Sequence, residues 1–142
     1  MKTSDTFKIQ ERAFHRENTK FLNERFFMKK VALFVFNGDP MCFIHVLLNA
    51  LDMDSKGYTA KVVVEGAATK LVPDLANTDN PLHTLWEKTK TAGLVAGVCK
   101  ACAGKMGTLE AAKDQGLDLL GDMNGHPSMS SYFEAGFEVI SF

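Results

Sequence analysis

The chain has 142 residues, of which 46% are hydrophobic and 23% charged, and its formal net charge is −1. This size suits one domain with its own core. The near-neutral charge and the lack of a basic, aromatic-interleaved cluster argue against nucleic-acid binding, and no apolar run approaches the roughly 20 residues of a membrane span.

The charged N-terminus has no apolar core segment and is not expected to act as a secretory signal. Three cysteines are an odd count that suggests no disulfide framework, so a cytoplasmic setting is expected. Residues 1–28 read as an N-terminal extension, helical or disordered. Phe7, Phe14 and Phe21 recur every seven residues, and Leu22 and Phe26 extend a possible amphipathic stripe. Residues 29–142 read as a compact α/β domain.

From Lys30 the pattern changes. Val31 to Phe36 is a continuous apolar run, as in a strand buried on both faces, and Asn37-Gly38-Asp39-Pro40 closes it. Met41 to Met53 has helical spacing. Tyr58 to Val64 predicts a second strand ending at Glu65-Gly66. Ala67 to Leu75 predicts a short helix or turn, and Leu82 to Thr91 a helix. Leu94 to Val98 predicts a third strand, followed by a cysteine turn and a helix over Lys105 to Gln115. Leu117 to Leu120 predicts a short fourth strand, Ser128 to Ala135 a helix, and Phe137 to Ser141 a last strand. Such alternation predicts a mostly parallel five-stranded sheet with helices on both faces.

Ligands in open α/β sheets bind outside the carboxyl ends of the strands. That rule selects Asn37, Gly38 and Asp39 after the first strand, and Glu65 and Gly66 after the second. It selects Cys99, Lys100 and Cys102 after the third, and Asp122 and His126 after the fourth. Most of these turns are also explained by ordinary capping and backbone needs. Cys99 is the strongest chemical candidate. A helix N-terminus and the nearby Lys100 and Lys105 favour thiolate over thiol. Cys99 is therefore expected to be reachable from solvent or a subunit interface, with a pKa lowered more than that of Cys102. A buried, inert cysteine is the competing reading.

Cys99-x-x-Cys102 also has the spacing of a dithiol redox couple, although it falls later in the chain than a thioredoxin-like motif would. A zinc site needs about four ligands. Cys42, His45, His83 and His126 supply no second paired spacing, so neither metal nor cofactor is expected. There is no phosphate-binding glycine loop and no serine nucleophile elbow.

From Lys29 to Phe142 the chain resembles the DsrE/DsrF-like family of small sulfur-relay proteins. The resemblance rests on the Lys30-Val31-Ala32-Leu33-Phe34 strand, the helix ending Ala50-Leu51, and the strand ending Glu65-Gly66. It also rests on Val98-Cys99 with Ala101, Ala103 and Gly107, and on a final helix containing Tyr132 before Gly136. Lys100 and Cys102 depart from the family pattern, where aliphatic residues stand. The resemblance implies a three-layer α/β/α sandwich that assembles into homotrimers or homohexamers. It implies that Cys99 accepts persulfide sulfur from a donor protein and passes it to an acceptor. Cys102 reads either as a thiol that resolves that persulfide into a disulfide, releasing sulfide, or as a small buried residue. Two other readings stay open: an oligomeric small-ligand-binding module without enzymatic activity, and a dithiol redox protein using Cys99 and Cys102.

Overall fold

The computed structural model describes residues 28–142 together with Gln10. The amphipathic stripe expected over Phe7 to Phe26 lies outside the described residues. The chain folds as β1 (Lys30–Val35), α1 (Pro40–Ser55), β2 (Thr59–Val64), a 3-10 turn (Gly66–Leu71) and α2 (Val72–Leu75). It continues through α3 (His83–Thr91), β3 (Val95–Cys99), α4 (Lys100–Met106) and α5 (Leu109–Asp114). It ends with β4 (Leu119–Leu120), α6 (Met129–Glu134) and β5 (Phe137–Ser141).

All five strands are parallel, in the order β4-β3-β2-β1-β5. The continuous apolar run of the first strand is explained by its interior place, between β2 and β5: Val31 to Val35 are all buried. The strand order also determines where the helices go. From β1 to β4 the chain always steps to the same side, and right-handed crossovers then put every connecting helix on one face. Phe43, Val46 and Leu47 of α1, Trp86 of α3, Ala103 of α4 and Ala112 of α5 pack there with Leu33, Val62 and Val98. The step from β4 back to β5 runs the opposite way, so α6 crosses the other face. Met129 and Tyr132 of α6 cover Phe34 and Val63 there, in a smaller core. The result is an α/β/α sandwich with a thick and a thin helical layer.

One expected element divides. The helix read over Lys105 to Gln115 begins earlier, at Lys100, and stops at Gly107, which is left-handed with φ 73°. Glycine adopts this conformation at little cost and ends the helix. Thr108 then starts a second helix.

Candidate functional site

Strand register builds the site. Val64 pairs with Val98, so the chain leaves β2 at Glu65 beside Cys99. Cys99 pairs with Leu120, so the segment after β4 starts on the other side of Cys99. The chain turns from β3 toward the thick layer and from β4 toward the thin one. A crevice opens where neighbouring strands send their connections to opposite faces. Cys99 ends β3 and caps α4, as expected of a strand-to-helix junction.

The segment after β4 is a tight hairpin that aims His126. Met123 and His126 exchange backbone hydrogen bonds of 2.8 and 2.9 Å, and the Gly125 N–H donates to the Gly121 carbonyl at 3.2 Å. Gly125 has φ 87°, which suits the Asn124-Gly125 turn, and a Cβ there would lie 3.3 Å from Ala101 Cβ. The hairpin is pinned to α4 by the Ala101 N–H, which donates to the Gly125 carbonyl at 2.8 Å. Its far end is held by Asp122, whose carboxylate accepts from the Ser128 N–H at 3.1 Å and the Ser131 hydroxyl at 3.0 Å. Those two hydrogen bonds hold the Asp122 carboxyl below its ordinary pKa.

Four side chains converge. Cys99 Sγ is 3.2 Å and Cys102 Sγ 3.7 Å from His126 Nδ1. The Cys102 N–H donates to Cys99 Sγ at 3.3 Å, and the Cys99 thiol points toward the Gly125 carbonyl at 3.8 Å. Glu65 Oε2 is 3.9 Å from His126 Nδ1. One donor atom from each of Glu65, Cys99, Cys102 and His126 lies within 4.8 Å of every other. The Glu65 side chain is 7% exposed and that of His126 43% exposed. Cys99 is buried and Cys102 half-buried.

Burial dominates the electrostatics. It pushes the Cys99 thiol up to about 12, against the Cys102 N–H, which favours the thiolate; the Cys102 thiol and the Glu65 carboxylate push it further up. Burial also raises the Glu65 carboxyl, against the attraction of His126 and a hydrogen bond from Cys99. Two expectations are therefore corrected. Within the single chain Cys99 is buried rather than open to solvent, and its thiol is held up rather than lowered. A helix N-terminus is a local feature worth up to about 2 kcal/mol. Desolvation by the surrounding sheet and hairpin outweighs it here.

The other residues selected from the sequence have different work. Asp39 caps α1, accepting from the Met41 N–H at 2.7 Å ahead of Pro40, and Asn37 Oδ1 accepts from the Asp39 N–H at 2.9 Å. A Cβ on Gly38 would lie 2.8 Å from the Ala67 carbonyl oxygen, so the first loop needs glycine to pass the 3-10 turn. Gly66 opens that turn with φ 53°. Lys100 is exposed at the start of α4. His83 Nδ1 contacts the Leu75 carbonyl at 2.8 Å, and Cys42 accepts from Asn37 Nδ2 at 3.5 Å. The structure thus brings together Glu65, Cys99, Cys102 and His126. It gives Asn37, Gly38, Asp39 and Gly66 to capping and turns, and makes Asp122 a support for His126. The Asn124-Gly125 dipeptide signals its turn in the sequence, but the contact of Gly125 with Ala101 does not show there. Sequence reasoning missed Gly97, where a Cβ would lie 2.5 Å from the Asp118 carbonyl oxygen of the neighbouring segment.

No protein-family model matches the chain. A conserved protein of unknown function from Bacteroides thetaiotaomicron, BT1422, has a similar structure. Its TM-score is 0.61 at 16% identity, over 80% of this chain and 95% of that one, which is a likeness of fold. An uncharacterized protein of Archaeoglobus fulgidus is 46% identical over 41 residues, 29% of this chain and 67% of that protein. The uncharacterized protein MJ0733 of Methanocaldococcus jannaschii is 34% identical over 97 residues, covering 68% of this chain and 77% of the relative. At that identity and coverage, the chain belongs to the family of MJ0733.

Proposed function

We propose that this chain is a persulfide-based sulfur carrier, as its resemblance to the DsrE/DsrF-like proteins implies for Cys99, and that Cys102, which departs from that family's pattern, works with it. The observation that carries the reading is that one imidazole nitrogen lies 3.2 and 3.7 Å from the two sulfurs. A single base can then accept the proton of either thiol, and thiolate is the form that attacks sulfur. The half-buried Cys102 meets an external donor first, and the buried Cys99 holds the sulfur away from water.

The steps balance without net oxidation. Cys102 attacks the terminal sulfur of a donor persulfide; its new S–S bond forms as the donor's breaks. The donor leaves as a thiol, carrying the proton that His126 took from Cys102. Cys99 then takes the terminal sulfur from Cys102 in the same way, and the Cys102 thiol is restored. Delivery to an acceptor thiol is the reverse. Cytoplasmic location and assembly into a homotrimer or homohexamer belong to this reading, and the exposed Met123 and Phe133 near the hairpin support the assembly.

The test is intact-mass spectrometry of the metal-free protein after exposure to a low-molecular-weight persulfide. Wild type is expected to gain one sulfur. Cys102→Ser should load about 10-fold more slowly or worse, and Cys99→Ser should load but lose its sulfur sooner. Loading and lifetime that match wild type in both variants would overturn the proposal. A second reading, a dithiol redox couple, is favoured by the 3.3 Å approach of the Cys102 N–H to Cys99 Sγ, which holds the two cysteines in one turn. Rapid loss of two mass units on mild oxidation, with no sulfur gain, would select it.

A further inference from the structure

We infer that Glu65, Cys99, Cys102 and His126 together bind a borderline-soft divalent cation, zinc by the chemistry of the donors, in a four-coordinate shell of two sulfurs, one nitrogen and one oxygen. Ligand spacing along the chain does not point to it, because only Cys99 and Cys102 have such spacing. The fold supplies the other two ligands from the ends of β2 and β4.

Three observations carry the inference. The first is distance. All four donor atoms lie within 4.8 Å of one another. Tetrahedral zinc, with Zn–S near 2.3 Å and Zn–N or Zn–O near 2.0 Å, puts its ligand atoms about 3.3–3.8 Å apart. Side-chain shifts of about 1 Å close the shell.

The second is the situation of Glu65. Its side chain is 93% enclosed, and its carboxylate faces the Cys99 thiol and the His126 ring. Among the described residues no lysine or arginine forms an ion pair with it. Its basic neighbour is the His126 imidazole, 3.9 Å away, so this buried carboxylate beside two thiols has no fixed positive charge against it, and buried charge calls for a partner or a metal.

The third is support from outside the shell. The Ala101-to-Gly125 hydrogen bond and the two Asp122 hydrogen bonds fix the hairpin that carries His126. Metal centres depend on such orienting contacts.

The donor set also selects the cation. Two thiolates and an imidazole suit zinc and its soft neighbours, whereas magnesium and calcium take oxygen ligands. Binding exchanges protons for metal: one divalent cation enters and both thiol protons leave, so the site forms a dithiolate without any change of oxidation state. A metal held this way occupies the same two sulfurs that the sulfur-carrier reading uses, but the inference does not rest on that reading.

The test uses the full chain, reduced and stripped with a chelator, and cobalt(II) as the probe. One cobalt per chain is expected, with sulfur-to-cobalt charge-transfer absorption and tetrahedral d–d bands, displaced by one equivalent of zinc. Glu65→Gln and His126→Ala should each weaken cobalt binding about 100-fold or more, beyond the roughly 10–100-fold that changes outside a ligand shell cause. Cys42→Ser should leave it unchanged. Because a variant can fail to fold, a second readout uses wild type alone. Zinc should protect the half-buried Cys102 from alkylation while Cys42 still reacts. Binding below one equivalent would overturn the inference. So would an octahedral spectrum without the sulfur band, undiminished binding in both Glu65→Gln and His126→Ala, or zinc that leaves Cys102 as reactive as before. No sulfur donor is present, so failure here leaves persulfide loading to its own experiment.

Discussion

The loops after β1 and β4 both leave the carboxyl edge of the sheet, both contain glycine and an aspartate, and only one builds a site. In the first, Asp39 turns back to cap α1, and Gly38 is pressed against the Ala67 carbonyl. Its polar groups are used locally. In the second, Asp122 holds a hairpin closed and leaves His126 free to face two sulfurs. The difference lies in topology. The β1 connection passes to the thick layer, as its neighbour from β2 does, whereas the β4 connection parts from the β3 connection and opens a crevice. Of these two loops, the one beside a diverging connection gains the chemistry.

Substitutions can break this contrast in order of severity. The largest effect is expected at Gly97, on the seam that carries β4. Gly97→Val puts side-chain atoms into the space of the Asp118 carbonyl oxygen, 2.5 Å from a Cβ, and of Leu120. It should destabilise the fold by about 3 kcal/mol, at the upper end for overpacking, and reduce cobalt binding with it; chemical denaturation and cobalt titration measure the two. Gly125→Val is next. Its backbone at φ 87° and its contact with Ala101 oppose a branched side chain, at a cost of about 1–3 kcal/mol. Cobalt affinity should fall even in the fraction that remains folded, because His126 moves.

The first loop supplies the matching control. Gly38→Ala should destabilise by about 1–3 kcal/mol through its clash with Ala67, and Asp39→Ala by about 1 kcal/mol through loss of the α1 cap. In both variants the folded protein should bind cobalt as wild type does. A parallel loss of binding from either loop would erase the distinction between them.

Acid and alkali sharpen it further. Asp122 has a depressed pKa, so its support is present above the ordinary carboxylate range and is lost as pH falls through its lower native value. Asp122→Asn should remove that acid-side dependence. Cys99 behaves in the opposite sense. Its native thiol is raised from 9.0 to about 12, so above pH 9 the unfolded chain releases a proton that the folded chain keeps. Stability of the metal-free protein should fall from pH 9 upward, and Cys99→Ala should fall less steeply when thermal melts are compared.

Much of the fold could be read from apolar runs. The buried run from Val31 to Val35 marked an interior strand, and Val98-Cys99 marked the junction where β3 meets α4. The helix from Lys105 to Gln115 misled because its apolar spacing continues through Gly107, where the backbone turns left-handed. The site was harder to read. The carboxyl-end rule selected all four of its members but could not say that Glu65 and His126 meet over Cys99, because that depends on strand register and on a hairpin pinned through Ala101. Cys99's burial was hidden for the same reason. The helix dipole is visible in local sequence, but the enclosing layer comes from β2 and β4.

Whether these four side chains form one site is decided by X-ray absorption of the zinc-loaded full chain. A shell of two sulfurs near 2.3 Å and two nitrogen or oxygen atoms near 2.0 Å is expected. A shell of four sulfurs, or one of nitrogen and oxygen alone, would contradict it.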